Sequence, residues 1–434
     1  MQQTINLFWY RRDLRINDNT ALYHALSAGL PVLPVFIFDT DILHQLADQS
    51  DARVHFIHQT VADLKKLFQS VGSDLLVKVG SPSTIWNELI QEYHVNSVFY
   101  NHDYEPDAIL RDEKIKQLLQ ANGIGVHTYK DQCVFEKNEV VKDDGKPYTV
   151  FTPYAKKWKL KLSQNPIVHY PSEDLIVNCV QIQKQFQEIS LATIGFQPSL
   201  LLFPPTTIAS KIILEYHKNR DYPAIEGTSK LGIHFRFGTL SIRDKVNKSI
   251  WLNETYLNEL IWRDFYMQIL WHFPHVVNGA FKPQYNFIEW RNNEAEFNLW
   301  KIGQTGYPIV DAGMRELLHT GYMHNRVRMI VASFLTKHLL IDWRWGEAWF
   351  AQKLLDFELS SNNGGWQWAS GSGTDAAPYF RVFNPSLQTE KFDAKFQYIQ
   401  KWVPEFNTSQ YSKPIVDHTF ARKRCLDAYQ TALK

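Results

Sequence analysis

Short unbroken apolar runs alternate with longer amphipathic stretches through the first 130 residues. The runs are 4–10 (TINLFWY), 31–39 (PVLPVFIFD), 74–80 (DLLVKVG), 96–101 (NSVFYN) and 125–129 (GVHTY). Runs of this length predict strands buried on both faces, as in a parallel sheet. The stretches between them predict helices from about Thr20, over about 54–71, from Ser81-Pro82 to about Tyr93, and across RDEKIKQLLQ. Ser is a preferred N-cap and Pro a preferred first helical residue, which fixes the third start. Strand and helix in alternation predict a doubly wound α/β domain over 1–130.

Beyond about residue 205 the apolar period becomes helical. ELIWRDFYMQILWHF (259–273) repeats it at Trp262, Phe265, Tyr266 and Ile269. PIVDAGMRELLHTG ends at Gly321, a suitable C′ residue, and MHNRVRMIVASFLTKHLLI predicts one helix over 323–340. An all-α domain is therefore expected over 205–434. Residues 131–204 read as a connector punctuated by Pro166, Pro171, Pro198, Pro204 and Pro205. Within it, VFTPYAKKWKLKL carries Lys156, Lys157, Lys159 and Lys161 and reads as a solvated linker face rather than a nucleic-acid patch.

Composition narrows the classes. A formal charge of +1 excludes a globally basic nucleic-acid binder and leaves room for a local basic face. Cys133, Cys179 and Cys425 stand far apart in no metal spacing, so neither a metal site nor a disulfide framework is expected. The first 15 residues carry Arg11, Arg12 and Arg15 without an apolar core, and no run approaches ~18 apolar residues. A cytoplasmic protein with no membrane partner is expected. No GxGxxG follows the first strand, so ordinary dinucleotide binding is not indicated there.

The densest chemistry lies in 356–385, DFELSSNNGGWQWASGSGTDAAPYFRVFNP. Gly364-Gly365 permits positive φ and close backbone approach to a flat ligand. Asn362 and Asn363 offer amide groups, and Trp366 and Trp368, two apart, cannot share one helical face. On these residues alone a glycine-kinked core loop fits equally well.

NNGGWQWASGSGTDAAPYFRVFNP closely resembles the C-terminal signature of the DNA photolyase/cryptochrome family. The nearest group is the class I cyclobutane pyrimidine dimer (CPD) photolyases of bacteria. GTSKLGIHFRFGTLS, NELIWRDFY, GYPIVDAGMREL and MHNRVRMIVASFL repeat the resemblance in order. It runs from FWYRRDLRINDN to PIVDHTFARKRCLDAY, almost the whole chain. It implies an N-terminal antenna domain, a C-terminal helical FAD-binding domain, and light-driven repair of pyrimidine dimers in damaged DNA by a monomer holding reduced FAD. An antenna chromophore is left unidentified: Asp107-Ala108 replaces the Asn-Glu of folate-binding members.

The same resemblance assigns residues. Tyr216, Thr228, Ser229, Lys230, Leu231, Gly232, Arg263, Arg328, Asp356, Glu358 and Asn362, with Glu259 and Asn325, would hold FAD. Gly232 stands where many relatives have Ser, which removes one phosphate hydroxyl. Glu259, Asn325 and Met329 would line the lesion pocket, with Trp262 and Trp368 as its stacking walls. Trp366, Trp343 and Trp290 match the chain that carries electrons to an oxidised flavin. Arg220, Arg326 and Arg381, with Arg328, match DNA-facing or flavin-facing arginines. Read without the resemblance, Glu259 and Arg263 are an i,i+4 surface pair, and each Trp is a core residue. The alternatives are a non-repairing blue-light receptor and a single-strand photolyase of the DASH group. The intact pocket set argues against both.

Overall fold

Every residue of β1 (Ile5–Tyr10) is buried, as a central parallel strand covered on both faces requires. The computed structural model, which describes residues 3–434, pairs it with β2 (Val32–Asp39) and β4 (Val95–Asn101). With β3 (Leu76–Gly80) and β5 (Gly125–Tyr129) the sheet runs β3-β2-β1-β4-β5, all parallel. Strand side chains alternate between faces. Ile5, Leu7 and Trp9 therefore share one core with Trp86 and Leu89 of a helix Pro82–Glu92 and Ile115 and Leu119 of a helix Pro106–Ala121. Phe8 and Tyr10 point the other way, where Tyr10 meets Phe68 of a helix Ala52–Ser70. The first helix is Thr20–Leu26, capped by the Asn19 side chain. The α/β reading of this half stands, with element ends within a few residues of those expected.

The chain divides into two compact units. One comprises residues up to Glu136, Leu162–Thr206 and Ile233–Lys248; the other comprises Lys137–Lys161, Thr207–Gly232 and Ser249–Lys434. The stretch read as a connector is thus shared between them. The reason lies in its first helix, α1 (Phe151–Gln164), which is amphipathic. Tyr154 and Trp158 are buried and Phe151 is partly buried, while Lys156 is exposed and Lys157, Lys159 and Lys161 are partly exposed and paired. Lys157 pairs with Asp143 at 2.9 Å, and Lys159 with Glu254 at 2.6 Å.

The second unit is helical and carries the residues of interest on α2 (Glu254–His272), α3 (Asn325–Ser333), α4 (Trp343–Lys353) and α5 (Leu359–Ser370). The single helix expected over 323–340 instead ends at Ser333 and continues as a wider π turn, Phe334–His338. Its main core joins Leu317, Val327, Val331, Leu335, Trp343 and Trp366. Among the described residues no helix is long and apolar enough to cross a membrane. The three cysteines are buried and free.

Candidate active site

The glycine-rich segment is a helix and not a loop. Residues 359–370 form α5, which stops at Gly371 in the left-handed conformation (φ 88). Neither Gly364 nor Gly365 has positive φ, which corrects the expectation from the Gly pair. Two glycines inside a helix cost about 1 kcal/mol each relative to alanine, so a packing reason is needed. For Gly364 it is the Tyr266 ring of α2, which a Cβ would strike. Gly365 faces open space instead, with nothing within 4 Å of where a Cβ would stand. One glycine lets two helices close together; the other leaves room beside the helix.

Helix α2 presents Glu259, Trp262, Arg263 and Tyr266 at i, i+3, i+4 and i+7. The expected Glu259–Arg263 pairing gives way to longer-range partners: Arg263 donates to Glu358 at 3.0 Å, and Arg220 forms an ion pair with Glu259. Arg220 also approaches Asp221 at 3.9 Å, Asp221 accepts from Arg326 at 2.7 Å, and Arg326 reaches the Met329 sulfur at 3.6 Å. Glu259, Arg220, Asp221, Arg326 and Met329 form one continuous chain of contacts across α2, α3 and the 216–221 turn. Burial raises the Glu259 carboxyl above its ordinary range, and Arg220 only partly opposes this. Such a carboxyl can share or donate a proton.

Asn325 is exposed in the first turn of α3, beside the N-cap His324. His324 is buried, its Nδ1 accepts from the Arg326 N–H at 3.2 Å, and its Nε2 has no partner. Burial lowers its pKa to about 4, so it is neutral. Arg328 grips Asp356 through both carboxylate oxygens at 2.9 and 3.1 Å and donates to the Met323 carbonyl at 2.8 Å. Asn362 donates to the Glu347 side chain at 2.9 Å and to its carbonyl at 3.1 Å. Arg381 is exposed and lies over the Phe383 ring.

The TSKLG turn is held by Thr228, whose hydroxyl meets that of Tyr322 at 3.1 Å, and Lys230 is left-handed (φ 53). The Ser229 hydroxyl accepts from Leu231 N at 3.4 Å, and Lys230 pairs with Glu226 at 2.7 Å. Gly232 has a reason that the sequence did not carry: a Cβ there would fall 2.6 Å from an Asp356 oxygen. A side chain at 232 would therefore crowd the carboxylate that Arg328 holds. Tyr216 packs edge-on against Tyr256 of α2.

Trp366 and Trp343 are both buried in the main core, and Trp290 packs against it. The Trp366 ring meets Phe350 at 5.0 Å and Trp300 at 6.1 Å, and its Nε1 has no partner. Trp290 stands edge-on to Tyr429 at 6.1 Å. Trp368 is partly buried against the same core as Met329. Trp262 is stacked flat on Phe151 of α1, ring centroids 3.7 Å apart and 4° from parallel. Sequence reasoning missed Phe151, Asp221, Glu347 and Trp300. Phe151 alone left a signal, the 151/154/158 spacing.

Residues 256–410 match the family described as the FAD binding domain of DNA photolyase, and residues 6–172 the family described as DNA photolyase. The chain is 35% identical to the deoxyribodipyrimidine photo-lyase of Halobacterium salinarum over 99% of each. The chain belongs to the DNA photolyase family. Two solved photolyases support this across the whole fold. A bacterial class III photolyase from Agrobacterium tumefaciens is 32% identical with a TM-score of 0.88, covering 100% of this chain and 98% of that one. An archaeal photolyase from Sulfolobus tokodaii, solved with two FAD molecules, is 33% identical with a TM-score of 0.83, covering 98% and 99%. The helical unit is thus the FAD-binding domain of a photolyase. Its residues fit a flavin dinucleotide on three counts: open space beside Gly365, the unpartnered Trp366 Nε1 and Ser360 Oγ, and the Thr228–Lys230 turn.

Proposed function

We propose that this photolyase-family chain splits cyclobutane pyrimidine dimers in DNA, with the class I pocket. The observation that carries the reading is the contact chain Glu259–Arg220–Asp221–Arg326–Met329. It joins a carboxyl of raised pKa to cationic groups on elements that also bear Trp262 and Asn325. A class III enzyme is among the structures it resembles, so the class assignment rests on these side chains and not on overall likeness.

Photolyases act on an extruded target, which costs a few kcal/mol and less for a distorted, poorly stacked dimer. Trp262 and Trp368 supply stacking of about 1–3 kcal/mol per base to offset that cost. Arg326 and Arg381 meet phosphates, which position the duplex without reading sequence. Glu259 hydrogen-bonds the dimer carbonyl and shares its proton as negative charge arrives, while Asn325 and Met329 close the pocket. Arg328, Asp356, Asn362, Arg263, Glu358 and the Tyr216 and Thr228–Gly232 elements would hold FAD. Bound there in its reduced form, FAD would supply light-driven electron-transfer chemistry for opening the cyclobutane ring. Arg328, held by Asp356, would favour the anionic reduced form of a flavin bound there. Trp366 and Trp343, both buried, and Trp290, partly buried against the same core, would be the residues that return an electron to an oxidised cofactor.

The test is repair of a thymine-dimer oligonucleotide by reduced protein, in blue light and in darkness, with a (6-4) lesion beside it. Thymine absorbance should return only in light and only for the dimer. A protein that takes up FAD and photoreduces but repairs neither lesion would be a light receptor.

A further inference from the structure

We infer that Phe151 is a positioning residue for the lesion site: it fixes the plane of Trp262, and Asp375 locks it there. This rests on the dimer-repair reading. An indole on a helix surface turns about its own side-chain bonds, so it makes a defined stacking wall only if something holds its plane. Phe151 covers one face of Trp262 at 3.7 Å and 4°, while Phe265 meets the indole edge-on at 5.4 Å. Tyr266 lies tilted beside the indole at 5.4 Å, and Trp262 remains partly exposed, so a dimer would stack on the face that Phe151 does not cover.

Phe151 is itself anchored. It ends a stripe along α1 that docks on α2: Tyr154 packs on Phe265 at 5.2 Å, and Trp158 donates to Asp264 at 3.0 Å. Its backbone N–H donates to an Asp375 oxygen at 3.1 Å, and next to it the Thr374 hydroxyl donates to the Thr149 carbonyl at 2.6 Å. Asp375 is left-handed (φ 46), a conformation uncommon for any residue but glycine. Its carboxylate does the work of an N-cap for α1 from a distant part of the chain. Thr374 and Asp375 lie only four and five residues beyond the end of α5, the helix that bears Trp368. The segment leaving one wall of the pocket therefore pins the residue that backs the other. The separation of the two walls is set by this clasp, which makes Phe151 a determinant of what fits between them.

The experiment compares the FAD-loaded full chain with Phe151→Leu and Phe151→Tyr. Equilibrium binding is measured in darkness to a thymine-dimer duplex and to the same duplex undamaged. Leucine keeps bulk without a plane, so dimer affinity should fall by about tenfold while binding to undamaged duplex stays unchanged; tyrosine should restore it to within about twofold. Photoreduction of the flavin through Trp366 reports that each variant is folded. Asp375→Ala, which removes the lock and leaves the ring, should lower dimer affinity in the same direction by a smaller factor, and serves if Phe151→Leu does not load FAD. Undiminished dimer affinity in Phe151→Leu overturns the inference, and increased affinity does so too, since the ring would then be occupying the dimer's own place. If the unaltered protein does not distinguish dimer from undamaged duplex, the repair reading falls first and this inference with it.

Discussion

Two clusters of arginine and carboxylate, one in each unit, differ in how fully their charges are met. In the α/β unit, both Asp131 oxygens accept from Arg15 at 2.8 Å, and Asp131 also accepts from Arg243 at 2.9 Å and from the Thr20 N–H and hydroxyl. Asp131 is 1% exposed, yet its pKa is lowered: burial pushes it up, and Arg15 and Arg243 more than reverse that. Asp18 is similarly surrounded by Ser241, Arg243 and the Tyr170 N–H. In the helical unit, Asp356 is held by Arg328 alone among the arginines described and keeps 19% of its side chain exposed. Arg326 Nε and His324 Nε2 have no partner, and the Glu259 carboxyl is pushed up although Arg220 sits on it. A carboxylate met from every side closes a fold. A carboxylate met from one side keeps lone pairs for something else.

Removing Asp131 should produce the largest effect. Asp131→Ala leaves buried Arg15 without its carboxylate and Arg243 with Asp18 alone, and breaking a pair of this kind costs on the order of 3–5 kcal/mol. The denaturant midpoint should fall accordingly, and a loss below about 1 kcal/mol would erase the contrast. Arg328→Met should cost less, about 1–3 kcal/mol, because Asp356 can rehydrate. Its main consequence should be FAD content, which we expect to drop more than tenfold in the purified protein. Full FAD content together with a stability loss matching Asp131→Ala would make Arg328–Asp356 a structural pair.

The contrast also explains what the sequence could reveal. The α/β unit is read from local runs: TINLFWY becomes Ile5–Tyr10 and PVLPVFIFD becomes Val32–Asp39, because buried parallel strands need continuous apolar side chains. Even there, the fate of the charged RRDLRINDN string was hidden, since the partners of Arg15 and Asp18 lie more than 110 residues away. In the helical unit the resemblance supplied positions but not partners. Asn362-Asn363-Gly364-Gly365 reads as a loop by propensity, yet it lies inside a helix whose Gly364 admits the Tyr266 ring. The i,i+4 rule pairs Glu259 with Arg263, yet a surface pair of about 0.2–0.5 kcal/mol yields easily to Arg220 and Glu358. Four lysines disguised α1 as a linker, and so concealed Phe151. The π turn at 334–338 left no mark in the sequence.

That turn holds a third kind of buried titratable site, a histidine pair. His338 is fully buried and shares a 2.8 Å hydrogen bond with His418. Burial, then His418 and Arg424, lower its pKa to about 3. Between an unfolded value of about 6.5 and that folded value, only the unfolded chain takes up the proton, so stability falls as pH falls through this window. At pH 5 the loss from this one group is about 2 kcal/mol. His338→Gln should therefore lose about that much less stability than the unaltered protein between pH 7 and pH 5. Equal losses in the two would mean that His338 does not carry the acid sensitivity.

The smallest effect on stability, and the sharpest on function, should come from Arg326. It is partly exposed, pairs at a single point with Asp221 and stacks on Phe392 at 4.4 Å. Exposed pairs of this kind contribute about 0–1 kcal/mol, so Arg326→Ala should unfold nearly as the unaltered protein does. If the group meets a DNA phosphate, its loss should weaken binding to every sequence alike and reduce the slope of log affinity against log salt by about 1. Damaged and undamaged duplexes should lose the same factor, because a phosphate contact carries no lesion information. A selective loss for the damaged duplex would move Arg326 into the pocket itself, alongside Met329. An unchanged salt slope would mean that Asp221 keeps the guanidinium for itself, and the two clusters would then be alike after all.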